Sequence, residues 1–184
     1  MITTNAVPKT PRITREEANV ERLLQIPGIQ RLGPLHKSSP HVQLTESETE
    51  YTVSVTKHCF AQHIVLQFDC VNTLSDQLLE NVRVDLLLPE GFVVRHVIPC
   101  AKLVYGEKES TYVILEFPAD ISTSTGWFYA HFFTLIISNS FLATFGATLK
   151  FIVKDCDPTT GLPDSDEGYD DEYMLEDFEI TVAD

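Results

Sequence analysis

The sequence predicts an all-β fold: an antiparallel β-sandwich preceded by a linker that carries one short helix. Three observations lead there. The apolar period changes from helical to two near Glu46. Seven or eight short apolar-faced runs then follow, with turn residues roughly every 8–12 positions. No helical periodicity recurs after Gly28. With one apolar face per strand, two sheets packed face to face close a core. A length of 184 residues suits one domain plus a tail, and 43% apolar residues with 11 Phe and 6 Tyr exclude wholesale disorder.

Residues 1–45 differ from the rest. Pro8, Pro11, Pro27, Pro34 and Pro40 recur, and apolar residues are sparse, as in a linker. Thr14 and Glu17 have the spacing of a capping box, in which each side chain satisfies an orphan amide of the first turn. Val20, Leu23 and Leu24 recur at i, i+3 and i+4, and Pro27-Gly28 stops the helix, which is expected over about 14–26. A lone helix of about twelve residues is marginal in water, so it forms against a partner surface or else frays.

The strands follow in order. Tyr51, Val53 and Val55 share one face, and so do Ile64, Leu66, Phe68 and Cys70. Val82, Val84, Leu86 and Leu88 make another face, ended by Pro89-Glu90-Gly91. Val93-Val94 with Val97-Ile98, and then residues 111–117, supply the next strands. Ala147, Leu149, Phe151 and Val153 face one way, and Phe178, Ile180 and Val182 make a last short strand. One segment breaks the pattern: residues 121–149 hold no charged side chain and include the run from Trp127 to Ile137. It is short of the about 20 apolar residues that a membrane helix needs. It lacks the alternation of a half-buried strand. Three readings stay open: a membrane insertion, a buried or edge strand, and, favoured over both, an aberrant insertion at about 126–140 from a retained intron or mispredicted exon.

The balance of 13 basic and 27 acidic residues gives a net charge of −14. That excludes binding to nucleic acid phosphates and direct docking on anionic lipid. Twelve of the acids lie from Asp155 to Asp184, and no Lys or Arg follows Lys154. Two readings compete, a calcium or basic-partner site and a solvated acidic loop between two strands, and as a calcium loop the segment fits poorly. A start at Asp155 puts Thr159, Thr160 and Asp166 at positions 5, 6 and 12, and a start at Asp164 puts Gly168 and Leu175 at 5 and 12. A solvated acidic loop over 155–172, between two strands, is expected instead.

Catalytic signatures are missing: there is no GxSxG, no phosphate-binding glycine loop and no HExxH. His58, Cys59 and His63 come nearest to a metal or nucleophile cluster. On a straight strand His58 and Cys59 point to opposite faces, and Cys59 and His63 stand about 13 Å apart, too far for one zinc ion. A core cysteine and surface histidines are the expectation, with no catalytic, cofactor-binding or metal residue assigned. The four cysteines form no CxxC, and polar residues and Pro8 follow Met1 in place of a secretory apolar stretch. Reduced thiols in a cytoplasmic setting are therefore expected.

Four blocks, in order, resemble the coatomer gamma subunit family. They are residues 32–39 with 44–51, residues 68–82, residues 153–161, and residues 167–173 running on to 175–177 and 181–184. The resemblance implies a non-catalytic subunit of the COPI vesicle coat, acting between Golgi and endoplasmic reticulum and within the Golgi. Residues 1–40 would be the end of the hinge and 41–184 the immunoglobulin-like sandwich of the appendage, or ear. The following platform subdomain is expected to be absent, since the chain stops at Asp184. The family's contact with Arf GTPase-activating proteins lies on that platform, so no binding residues carry over. Other coatomer subunits and coat accessory proteins are the implied partners, with membrane association only through the coat and no cofactor. The alternatives are an ear-like sandwich that binds peptide motifs in another sorting coat, and a small metal-binding or enzymatic β-protein.

Overall fold

The computed structural model describes residues 15–117 and 143–180. The apolar run from Trp127 to Ile137, the expected capping residue Thr14 and Val182 lie outside the described residues. The chain divides into two units, one up to Pro34 and one from Leu35. In the first, helix α1 spans Arg15–Gln25, and a 3-10 helix follows over Ile29–Leu32. Gly28 joins them at φ 95°, a left-handed conformation that glycine adopts without a Cβ penalty. The break therefore falls at the Pro27-Gly28 stop. Leu23 and Ile29 are buried.

The second unit is built from antiparallel strands: β1 Lys37–Ser38, β2 Val42–Gln43, β3 Tyr51–Cys59, β4 His63–Asn72, β5 Gln77–Leu87, β6 Val93–Ile98, β7 Cys100–Leu103, β8 Lys108–Glu116, β9 Ala143–Asp155, β10 Tyr169–Met174 and β11 Phe178–Ile180. One sheet has the order β1-β3-β4-β8-β6, with β2 also on β3. The other has the order β10-β9-β5-β7, with β11 also on β9. The inner faces meet in one core. Val53, Val55, Ile64, Leu66, Phe68, Val113 and Leu115 come from the first sheet, and Leu79, Val82, Val84, Phe145, Leu149, Phe151 and Val153 from the second. Phe178 stacks on Phe145 at 5.5 Å and meets Phe68 edge-on at 6.0 Å, joining the two layers. The two-layer antiparallel sandwich read from period two is the fold observed.

Three differences have physical reasons. Strand β5 begins at Gln77 although its alternation becomes visible only from Val82. A bulge between Glu80 and Arg83, with Asn81 at φ 52°, carries the inward positions from Leu79 to Val82 and breaks the period. The straight strand assumed through His58, Cys59 and His63 is a tight hairpin. There β3 pairs with β4 from Tyr51↔Asn72 to Cys59↔Ile64, and the Phe60 amide donates to the His63 carbonyl at 2.9 Å. The acidic stretch expected as loop is a strand from Tyr169: β10 pairs with β9 from Tyr169↔Val153 to Met174↔Thr148. Backbone pairing holds it, with Tyr173 alone packed against the core, edge-on to Tyr51 at 5.5 Å.

Candidate functional site

Period two places His58 on the face of β3 opposite Val53 and Val55, and places Gln67 and Asp69 on the same outer face of β4. Antiparallel register sets His58 opposite Val65, Gln67 opposite Tyr112 and Asp69 opposite Ser110. The polar side chains on this face form one continuous line. Ser38 Oγ lies 2.7 Å from His58 Nδ1, and His58 Nε2 lies 3.1 Å from Gln67 Oε1. Gln67 Nε2 donates to Asp69 Oδ1 at 2.7 Å. Ser110 Oγ donates to the same carboxylate oxygen at 2.7 Å, and Lys108 Nζ pairs with Asp69 Oδ2.

The direction of this line follows from its end. Gln67 commits its NH₂ to Asp69, so its carbonyl oxygen faces His58, and His58 Nε2 carries the proton. Nδ1 then accepts from the Ser38 hydroxyl. Burial holds His58 below its ordinary pKa and outweighs the opposing pull of Gln67 and Asp69. At Asp69 burial pushes the carboxyl up, but hydrogen bonds from Lys108, Gln67 and Ser110 together hold it below the usual range. The result is a neutral imidazole and an ionised carboxylate joined through an amide. Chemically this is a clamp: it ties β1, β3, β4 and β8 together and fixes their register. Ser39 adds to it, since its Oγ accepts from the Lys57 amide at 3.1 Å and so anchors β1 to β3.

Cys59 packs against the core as expected, but the expectation of surface histidines fails at His58. His58 is 1% exposed, while Cys59 is only half-buried and His63 lies half-buried at the hairpin. Hydrogen bonds at both ring nitrogens make its burial tolerable, and a composition-based reading cannot see those partners. Among the described residues, no group of three or more His, Cys, Asp and Glu side chains is placed to hold a metal ion. No described helix is long and apolar enough to cross a membrane. All four cysteines are free thiols.

The acidic segment forms the other notable surface. Near its start, the Asp157 carboxyl is held below the usual range because the Thr159 and Thr160 amides donate to it at 2.7 and 3.1 Å. On β10, Glu172 meets Lys150 at 3.4 Å, and Lys150 also meets Asp85 at 3.4 Å. These are exposed pairs of small energetic weight.

The geometry describes a two-layer sandwich with a polar clamp and an acidic edge. A family model described as the coatomer gamma subunit appendage platform subdomain matches residues 17–181. The chain belongs to this family. It is 67% identical over 184 residues to a coatomer subunit gamma of Anopheles gambiae and 60% identical over 184 residues to one of Drosophila melanogaster. It is 45% identical over 184 residues to coatomer subunit gamma-1 of Homo sapiens. All of this chain is covered in each case, but the chain spans only 19% of the length of these relatives. A crystal structure of a yeast GAE domain overlaps 77% of this chain and 98% of its own, with a TM-score of 0.43 and 8% identity. The family match is partly at odds with the expected absence of the platform subdomain. The description that names the platform belongs to residues 17–181, a range that includes every strand of the two sheets described above.

Proposed function

We propose that this chain is the appendage part of a COPI coat subunit and works as a non-catalytic docking module. In this reading the hinge, expected over residues 1–40, ends before β1, because Lys37 and Ser38 pair with β3, and the module that it tethers runs from there to residue 184. The coat serves Golgi-to-endoplasmic-reticulum and intra-Golgi transport on the cytoplasmic side of Golgi membranes. The match of the coatomer gamma appendage model to residues 17–181 carries this reading. A rigid sandwich on a proline-containing tether suits the role, because it searches a volume around the coat and raises the effective concentration of weakly bound partners. Other coatomer subunits and accessory proteins are its partners, and the membrane is reached through them. No contact with Arf GTPase-activating proteins is assigned to this chain, although the family match is partly at odds with the expected absence of the platform.

An antibody raised against this chain tests the proposal on the native protein, whatever its full length. Immunoprecipitation from cytosol should bring down the other coatomer subunits in near-equal amounts. Recovery of a different sorting coat, or of the protein alone, would overturn it.

A further inference from the structure

Strand β10 ends its sheet: it pairs with β9, and no other described strand lies on its far side. Its six residues run without a bulge, and all are exposed except the half-buried Tyr173. The Leu175 amide donates to the Ala147 carbonyl at 3.0 Å, in register with the ladder, so odd-numbered residues bond to β9. The backbone groups of Asp170, Glu172 and Met174 therefore point outward. The Glu172 amide confirms it, because it donates at 2.8 Å to the Asp171 carboxylate rather than to β9. The other sheet's terminal strand β6 is different, with its ladder interrupted between Val94 and His96. A bulge of that kind blunts an edge against pairing.

We infer that the outer edge of β10 takes up an extended basic peptide as an added strand. The backbone supplies the outward donors and acceptors of Asp170, Glu172 and Met174, the first requirement for strand addition. Charge selects the occupant. Asp170, Asp171 and Glu172 line the edge, and the chain from Asp155 onward contributes no Lys or Arg. At the start of the strand an exposed aromatic ring, Tyr169, sits in the field of Asp155, Asp171 and Asp76. An exposed ring with carboxylates nearby suits a guanidinium, through both ion pairing and cation–π attraction. At the other end Met174 is 82% exposed and offers an adaptable apolar contact. Docking displaces the Asp171 carboxylate from the Glu172 amide. The peptide carbonyl then takes that amide, and the freed carboxylate pairs with a basic side chain. This inference concerns the sandwich itself and does not depend on the coat reading.

The test uses the full chain, labelled with nitrogen-15, and a capped peptide of about eight residues alternating Arg with Val or Thr. The inference expects saturable binding with slowed amide exchange at Asp170, Glu172 and Met174. Methylating alternate backbone nitrogens of the peptide keeps its charge and removes its donors, and should weaken binding by about tenfold or more. The substitution Glu172→Pro removes an outward amide while sparing the β10–β9 backbone ladder, and an edge strand tolerates it. Because it also removes the carboxylate that meets Lys150, it is read against Glu172→Gln, which loses the same charge and keeps the amide. Glu172→Pro should weaken binding of the unmodified peptide similarly. Equal binding of the methylated peptide would overturn the inference, because charge alone would then suffice. So would the lack of saturable binding, in which case the acids only guard the edge against self-association.

Discussion

Replacing Gln67 with Met tests whether the clamp on the first sheet is a connected unit. The substitution keeps the length and unbranched shape of the side chain and removes both amide atoms. Gln67 is 6% exposed and His58 1%, so water cannot readily replace what is lost. Leaving the His58 Nε2–H unpaired costs about 1–3 kcal/mol, and losing a hydrogen bond to the charged Asp69 about 1.5–3 kcal/mol. Asp69 keeps Ser110 and Lys108, so the lower half of each range applies and the expected loss is about 3 kcal/mol. For a domain of this size that lowers Tm by about 6–12 °C. Urea unfolding should show a lower midpoint at an unchanged slope. In a cycle with His58→Leu, the double variant should lose less than the sum of the singles by about 1 kcal/mol or more. A loss below about 0.5 kcal/mol that simply adds to that of His58→Leu would refute the connected clamp.

Two further outcomes follow from local structure. His58 is held below its ordinary value of 6.5, so on acidification the unfolded chain binds a proton that the folded chain resists. Stability from this site is complete above pH 6.5 and falls as pH drops toward the folded value, by at most about 1.4 kcal/mol per pH unit. Asp69 adds a second loss that begins near pH 3.8. His58→Gln should flatten the first limb in pH-dependent urea unfolding and leave the second, and an unchanged slope below pH 6.5 would contradict this assignment. The second outcome concerns Gly168, where an added Cβ meets Ile152 Cγ2 at 2.6 Å and the Val153 carbonyl oxygen at 2.8 Å. Gly168→Ala should push the start of β10 off β9 and cost about 1–3 kcal/mol. Wild-type stability with unshifted amide resonances at Tyr169 and Asp170 would show that the approach is not close.

The layered fold was legible because burial writes itself into period two. Ile64, Leu66 and Phe68 alternate with Val65, Gln67 and Asp69, and the apolar set faces the core. The pattern fails where something other than burial holds the chain. The bulge at Asn81 resets the alternation of β5, and β10 is held by backbone hydrogen bonds that its Asp-Asp-Glu side chains conceal. The clamp was hidden for a similar reason. His58, Gln67 and Asp69 read as surface residues, and only the register of three adjacent strands brings their partners within 3.1 Å. One signal was available: Gln67 and Asp69 alternate with Leu66 and Phe68 on a strand whose outer face also carries Val65, so that face is not fully solvated.

Residue-resolved amide exchange across β10 measures most directly whether the acidic end of the chain is an edge strand with a free side. The structure predicts alternation, with slow exchange at Asp171 and Tyr173 and fast exchange at Asp170, Glu172 and Met174. Uniformly fast exchange would return this segment to a loop, and uniform protection would mean that the edge is already occupied.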